Sequence, residues 1–153
     1  MEDHFLTQNI KFFQAHQAYG EFANFYPSPV LIDERKYPTV EHFYQSQKFV
    51  GVNDNLAEKI RRCGTPSEAR AIATSTDVTV REDWADVKYS VLMRGLTFKF
   101  QQHERLKQLL QGTENKGLIF DATHDSDLGI GEGDGENNLG KALSELRAKV
   151  KKE

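Results

Sequence analysis

The sequence predicts an α+β fold dominated by helices, with a few short strands, folded as one domain over residues 1–153. Three observations carry that expectation. Two segments open with strong helix-start residues, Thr39 after Pro38 and Thr65 before Pro66. One long segment, Arg81 to about Gln102, repeats apolar residues at helical spacing. The apolar runs that read as strands, Val30 to Ile32 and Leu118 to Phe120, are too short for a large sheet. A chain of 153 residues can bury roughly two-thirds of its unfolded surface in a single domain.

Taken in order, residues 9–26 gather Phe12, Phe13, Tyr19, Phe22, Phe25 and Tyr26 around Gly20. This suggests an early strand and then a tight aromatic loop, ended by Pro27 and Pro29. Val30 to Ile32 is a short strand, and Asp33 to Lys36 would be its turn. Thr39 caps a helix that meets no Gly or Pro before Gly51. Thr65, Pro66 and Glu68 form a capping box with proline at the first helical position. The Arg81 to Gln102 helix is the longest, with Trp84, Val87, Val91 and Phe98 near one face. A further short helix follows from His103 to Leu110, ended by Gly112, and Leu118 to Phe120 reads as a buried strand leading to Asp121. Asn138 is placed to cap a final helix running to about Lys149, and no repeat or linker interrupts the chain before Lys151 to Glu153.

Composition narrows the function classes. A net charge of −3 argues against wholesale electrostatic capture of nucleic acid, though not against a local basic patch. The single Cys63 excludes an intrachain disulfide and a multi-cysteine zinc site, and suits a reducing compartment. The start, Met1 to Phe5, is acidic and does not read as a signal peptide, and no stretch approaches the ~20 apolar residues needed to span a bilayer. The expectation is a soluble, monomeric intracellular protein without membrane partners, cytoplasmic, or nuclear in a eukaryote.

Within the first helix, Glu41, Gln45 and Lys48 share one polar stripe, beside a mostly apolar stripe of Val40, Phe43, Gln47 and Val50. A carboxylate and an amine on one face, flanked by aromatics, suit acid–base or imine chemistry if that face lines a cleft. A solvated surface is the plain alternative. Asn24, Phe25 and Tyr26 precede the proline pair; on a cleft rim they would stack on a flat heterocycle while the amide fixes its polar edge. The run from Gly129 to Gly135 permits positive φ and close approach of backbone N–H groups to an anion, near a helix start at Asn138. In that reading Glu132, Asp134 and Glu136 point to solvent, and Gly131→Val would weaken ligand binding while sparing the fold. A calcium loop counted from Asp125 through Asp127 to Glu136 fails, because Gly129 and Ile130 stand where a ligand and a glycine are needed. The histidines, His4, His16, His42, His103 and His124, show no metal-ligand spacing, and His42 reads as a packed or surface residue. Cys63 reads as a small hydrophobe rather than a nucleophile. Neither a metal nor a cofactor is expected.

Blocks along nearly the whole chain resemble the NADAR family, which is named for a link to NAD and ADP-ribose. They are Phe22 to Tyr26, Tyr37 to Phe49, Thr65 to Arg70, Trp84 to Lys88 with Met93, Lys99 and Phe100. Further blocks are Asp121 to Asp125, Gly129 to Gly131, Asn138 to Leu143, and Arg147. The resemblance implies cleavage of N-glycosidic bonds. It implies either removal of ADP-ribose from guanine in nucleic acid or cleavage of phosphoribosyl-aminopyrimidine intermediates of riboflavin synthesis. The first is favoured because nothing fused to the chain points to riboflavin synthesis. The partner is then ADP-ribose-modified nucleic acid, or else an ADP-ribosyl or phosphoribosyl small molecule.

Glu41 and Lys48 match the block that carries the family's active site, and Asp125 matches the aspartate of a conserved family turn. These three are the catalytic candidates; Asn24, Phe25, Tyr26, Gln45, Trp84, Gly129, Gly131 and Asn138 are the ligand-binding candidates. Two departures bear on the pocket: Leu128 stands where the family has Trp, and Asp121 where it usually has Glu. The chemistry stays open between two routes. In one, a neutral Lys48 amine attacks the ring-opened sugar to form a Schiff base while Glu41 shuttles protons. In the other, carboxylates stabilise an oxocarbenium ion and activate water, and Lys48 holds a hydroxyl or phosphate. A module that binds ADP-ribose without cleaving it is the non-enzymatic alternative.

Overall fold

The computed structural model describes residues 9–151; the acidic start with His4, and the last two residues, lie outside the described residues. In chain order its elements are β1 (Asn9–Phe12), a 3-10 turn (Gly20–Phe22), β2 (Val30–Ile32), β3 (Arg35–Tyr37) and α1 (Val40–Gln47). They continue with α2 (Asp54–Arg62), α3 (Pro66–Ala73), α4 (Trp84–Gln102), α5 (Glu104–Gly112), β4 (Gly117–Phe120) and α6 (Asn138–Lys151). This is the helix-dominated α+β class that the sequence predicts. The chain forms two units, residues 9–23 with 103–151, and Asn24–Gln102.

In the Asn24–Gln102 unit, β2 and β3 form an antiparallel hairpin with Val30 opposite Tyr37 and Ile32 opposite Arg35. Asp33 and Glu34 both take left-handed backbone angles, φ 52° and 66°, which matches a two-residue turn to the twist of the strands. The turn is therefore shorter than the Asp33 to Lys36 expectation, and Arg35 to Tyr37 returns as a strand.

Helix α1 packs against α2, α3 and α4. Thr39 caps it as expected, its side chain accepting from the His42 N–H at 3.1 Å. The helix ends at Gln47, so Val50 leaves the apolar stripe and lies 42% exposed. Gly95 of α4 permits the α1–α4 crossing, since a Cβ there would come within 3.0 Å of Phe43 and 3.1 Å of Val40. The buried stripe of α4 differs from the one expected. Leu92, Gly95, Leu96, Lys99 and Phe100 are buried, whereas Trp84, Val87, Val91 and Phe98 are half-buried.

Helix α3 starts as its sequence requires. The Thr65 hydroxyl accepts from the Glu68 N–H at 3.0 Å, and the Glu68 carboxylate reaches back to the Gly64 N–H at 3.1 Å. Helix α2 was not anticipated, although its signals are present. Asn53 caps it through the Leu56 N–H, and Lys59, Arg61 and Arg62 fill its last turn. Cys63 follows it, packed partly against the cluster of Phe49, Ile60 and Ala69; burial pushes its thiol up, which suits the inert role expected.

His42 is fully buried, with Nδ1 2.8 Å from the Thr39 hydroxyl and Nε2 3.1 Å from the Cys63 carbonyl. That carbonyl can only accept, so Nε2 carries the proton and Nδ1 accepts from Thr39. Burial lowers the His42 pKa, outweighing the opposing pull of the Cys63 carbonyl and the Glu68 carboxylate. The unfolded imidazole, near its ordinary value of about 6.5, therefore takes up a proton before the folded one does. The stability from neutral His42 is present above about pH 6.5 and is lost as pH falls through the lower folded value. Thermal unfolding followed downward from neutral pH should show this loss, and His42→Gln should flatten it; an unchanged slope in the variant would remove His42 as its source.

In the other unit, β1 and β4 pair in parallel from Asn9 opposite Gly117 to Phe12 opposite Phe120. Phe12 stacks on Phe120 with ring centroids 5.4 Å apart and meets Phe22 edge-on at 5.8 Å. Helix α6 packs on β4 and α5 through buried Leu139, Leu143 and Leu146. Buried Arg147 donates through Nη1 to the Thr113 hydroxyl at 2.9 Å and the Lys116 carbonyl at 2.8 Å, tying α6 to the end of α5. Among the described residues, no helix is long and apolar enough to cross a membrane.

Candidate active site

The polar stripe of α1 is not a solvated face. Glu41 is 7% exposed and Gln45 4%, and the Gln45 Nε2 donates to Glu41 Oε1 at 2.7 Å. Burying a carboxylate costs free energy unless it is hydrogen-bonded, so its place in the unit implies a use beyond solubility. Asn24 joins it, since the Asn24 carbonyl accepts from the Glu41 N–H at 3.0 Å. The Asn24 side chain is 2% exposed, yet neither its Nδ2 nor its Oδ1 has a hydrogen-bond partner among the described residues. The Gln45 Oε1 is likewise unpartnered. Three buried polar atoms without partners beside one carboxylate are what a site built for a polar ligand leaves in its free form.

Lys48 sits one residue beyond α1, as its C-cap. Its Nζ lies 5.8 Å from the centre of the Trp84 ring, and Trp84 meets Tyr44 edge-on at 5.1 Å. The Lys48 carbonyl accepts from the Arg81 N–H at 2.9 Å, and the Arg81 guanidinium is held by Asp83 at 2.6 and 2.9 Å. Arg81 thus braces the end of α1 that carries Lys48, a role the sequence reading did not assign. Tyr26 is half-buried, and the ammonium of Lys99, itself wholly buried, lies 5.8 Å from its ring centre. The buried Lys99 was also not among the expected site residues. Phe25, next to Tyr26 in the chain, is half-buried as well.

A cavity of about 320 Å³ lies on the opposite face of α1 from Glu41, Gln45 and Lys48. Ser46, Gln47, Val50, Tyr37, Arg35 and Arg61 contribute to its lining. Arg61 is already engaged with Glu58 and with the Lys36 carbonyl, so this space offers little of the chemistry that the other face carries.

Asp125, Gly129, Gly131 and Asn138 belong to the unit of residues 9–23 and 103–151, and there they build a self-bonded loop. The Asp125 Oδ1 accepts from the N–H groups of Asp127 at 3.0 Å and Leu128 at 2.9 Å. It fixes the loop. The Asn138 Nδ2 donates to the Asp127 carboxylate at 2.7 Å, and Asn138 is the first residue of α6 rather than its cap.

The backbone of this loop already engages several of the amides that an anion cradle would use. The amides of Ile130, Gly131, Gly133 and Gly135 all donate to carbonyls of the same loop or of residues 120–125. The Gly129 carbonyl in turn accepts from Asn137 at 2.9 Å. Glu132, Asp134 and Glu136 do face solvent. The calcium reading gains no support either: among the described residues no cluster of three or more His, Cys, Asp or Glu could hold a metal. Leu128, where the family has Trp, is 8% exposed and packs inward, while Asp121 is exposed and extends the β1–β4 pairing through the Phe12 carbonyl.

Gly131 holds φ at +55°, and a Cβ there would approach the Ser126 Cβ at 3.1 Å. Gly131→Val should therefore act on the fold itself, contrary to the expectation of a binding-only effect. It should cost about 2 kcal/mol or more, with Gly131→Asn milder because Asn tolerates left-handed angles. Thermal or urea unfolding of the two variants checks this; a Val variant as stable as the parent would contradict it.

Comparison with known proteins places this geometry in a family. The NADAR domain model matches residues 11–151. The N-glycosidase YbiA of Escherichia coli is 35% identical over 142 residues, which are 92% of this chain and 88% of that protein. An N-glycosidase of Nostoc punctiforme is 35% identical over 93% of this chain and 92% of its own length. The NMR structure of Escherichia coli YbiA superposes with a TM-score of 0.85, covering 93% of this chain and 84% of that one. A chloroplastic riboflavin biosynthesis protein of Zea mays is 32% identical over 94% of this chain, matched to 25% of its own length. The chain belongs to the NADAR family. Hydrolysis at an N-glycosidic bond is the activity class that this membership supports.

Proposed function

We propose that this protein hydrolyses the N-glycosidic bond joining ADP-ribose to guanine in nucleic acid, with Glu41 and Lys48 as its catalytic residues. The observation that carries the reading is the buried Glu41 carboxylate, held by Gln45 beside the unpartnered Asn24 amide. A buried, hydrogen-bonded carboxylate suits proton transfer to a departing nitrogen. The Asn24 amide offers one donor and one acceptor, the complement of the H–N–C=O edge of an oxo-heterocycle such as guanine. Support for the ADP-ribosyl substrate comes from two separate aromatic surfaces, Trp84 beside Lys48 and Tyr26 beside Lys99. ADP-ribosyl-guanine carries two flat heterocycles to stack, whereas a phosphoribosyl-aminopyrimidine carries one.

The second reading is cleavage of the aminopyrimidine intermediate, favoured by relatives named as riboflavin biosynthesis proteins in Zea mays and Vibrio vulnificus. Supplying both substrates to the enzyme and timing release of free ADP-ribose against ribose 5-phosphate distinguishes the two. The expected result is faster release of ADP-ribose. Faster release from the pyrimidine would install the second reading, and binding of ADP-ribose with no product from either would make the protein a non-catalytic module.

A further inference from the structure

A buried side-chain amide is satisfied only when its donor end and its acceptor end are both bonded, since each unpaired end forfeits a hydrogen bond it makes in water. Gln45 is 4% exposed, and its Nε2 is committed to the Glu41 Oε1 at 2.7 Å. Its Oε1 is the end left over, buried and without a partner among the described residues. Position narrows what that acceptor can meet. Gln45 stands four residues after Glu41 and three before Lys48, so it lies between them on one helical face. Its backbone carbonyl accepts from the Lys48 N–H at 3.3 Å, and Lys48 keeps helical backbone angles, so the stripe runs unbroken to its end. A ligand that reaches from the carboxylate to the amine therefore passes over the Gln45 amide.

Resting on the N-glycosidase reading above, we propose that Gln45 reads the sugar of the substrate, its Oε1 accepting a hydrogen bond from the hydroxyl on the carbon next to the anomeric carbon. With Glu41 at the departing nitrogen, that hydroxyl is the sugar donor nearest the bond that breaks, and the acceptor nearest Glu41 on the stripe is the Gln45 Oε1. The contact gains strength during the reaction. As the nitrogen leaves with its bonding pair, positive charge gathers at the anomeric carbon, whether as an oxocarbenium ion or as an imine to Lys48. The neighbouring hydroxyl then becomes a better donor, so a fixed acceptor favours the transition state over the bound substrate. The hydroxyl keeps its proton throughout. One amide would thus hold the proton carrier with its donor end and the sugar with its acceptor end. The hydroxyl belongs to ADP-ribose and to ribose 5-phosphate alike, so the role of Gln45 does not depend on which heterocycle departs.

The test is a cycle that deletes each partner of the contact in turn. The substrates are an ADP-ribosyl-guanine oligonucleotide and its counterpart whose reacting sugar is 2-deoxyribose; the enzymes are wild type, Gln45→Met and Gln45→Glu. Gln45→Met slows both substrates by releasing Glu41, but it should slow the ribosyl one by about tenfold more, the signature of a direct contact. Gln45→Glu keeps an acceptor at the same reach, so it should lose rate on both substrates while retaining most of that dependence on the hydroxyl. Binding of ADP-ribose and of its 2-deoxyribose analogue is titrated in parallel. The wild type should prefer the hydroxylated ligand by about fivefold, and Gln45→Met should lose the preference. Gln45→Asn, which retracts the amide by one methylene, gives the same reading if the Met variant does not fold. Equal slowing of the two substrates by Gln45→Met, with turnover intact in the wild type, overturns the role of Gln45 and leaves the N-glycosidase reading standing. A wild type that releases no ADP-ribose yet shows the Gln45-dependent preference in binding overturns the N-glycosidase reading and leaves Gln45 as a sugar-binding residue.

Discussion

On the proposed reading, Glu41→Gln is expected to reduce turnover by about 10³-fold, because the change removes the proton carrier while keeping the shape of the side chain. The amide has the shape of the carboxylate, and its oxygen can still accept from the Gln45 Nε2, now 2.7 Å from Glu41 Oε1. The Glu41 backbone N–H still donates to the Asn24 carbonyl, so the geometry around the unpartnered amide stays in place. Substrate affinity should change far less than kcat. Loss of binding in step with rate would instead make Glu41 a ligand-orienting group. A variant retaining a tenth or more of the parent rate would end its assignment as the proton carrier.

How much of this site could be read from the residues depends on what kind of signal each part leaves. Helix starts are written locally: Thr39 and Thr65 cap the helices they were expected to cap, because one side-chain oxygen meets one N–H three residues on. The Glu41, Gln45 and Lys48 stripe follows from helical periodicity alone. Its burial does not, since that depends on α2, α3 and α4 closing over α1. The β1–β4 pairing joins segments from opposite ends of the chain, and no turn between them announces it.

Lys99 was missed for a related reason. With Trp84, Val87, Val91 and Phe98 taken as the buried face of α4, Lys99 falls outside it. On the face that is in fact buried, a lysine among Leu92, Leu96 and Phe100 stands out as a charge in an apolar row. The glycine-rich loop shows a different limit of local composition. Its composition suits an anion cradle, but only the fold shows that four of its amides are already bonded to the loop's own carbonyls or to residues 120–125.

On the proposed reading Lys48 divides two chemistries for breaking the bond, and two substitutions separate the routes. An imine needs a neutral primary amine, which arginine cannot supply because its guanidinium stays protonated. If Lys48 forms a Schiff base with the ring-opened sugar, Lys48→Arg and Lys48→Met should both lose about 10³-fold or more in rate, the loss of a covalent route. Borohydride added during turnover should then leave a sugar adduct on Lys48 of the wild type and none on either variant. If Lys48 only holds a hydroxyl or phosphate through its charge, Lys48→Arg should keep most of the activity, Lys48→Met should lose it, and no adduct should form.

The structure makes the arginine variant a fair comparison. The Lys48 ammonium lies 5.8 Å from the face of Trp84, which would also take a guanidinium. The backbone at residue 48 is braced by the Arg81 N–H, not by the side chain being replaced. A Lys48→Arg enzyme near wild-type rate would eliminate the imine route; an inactive one beside a trapped wild-type adduct would eliminate the purely electrostatic one.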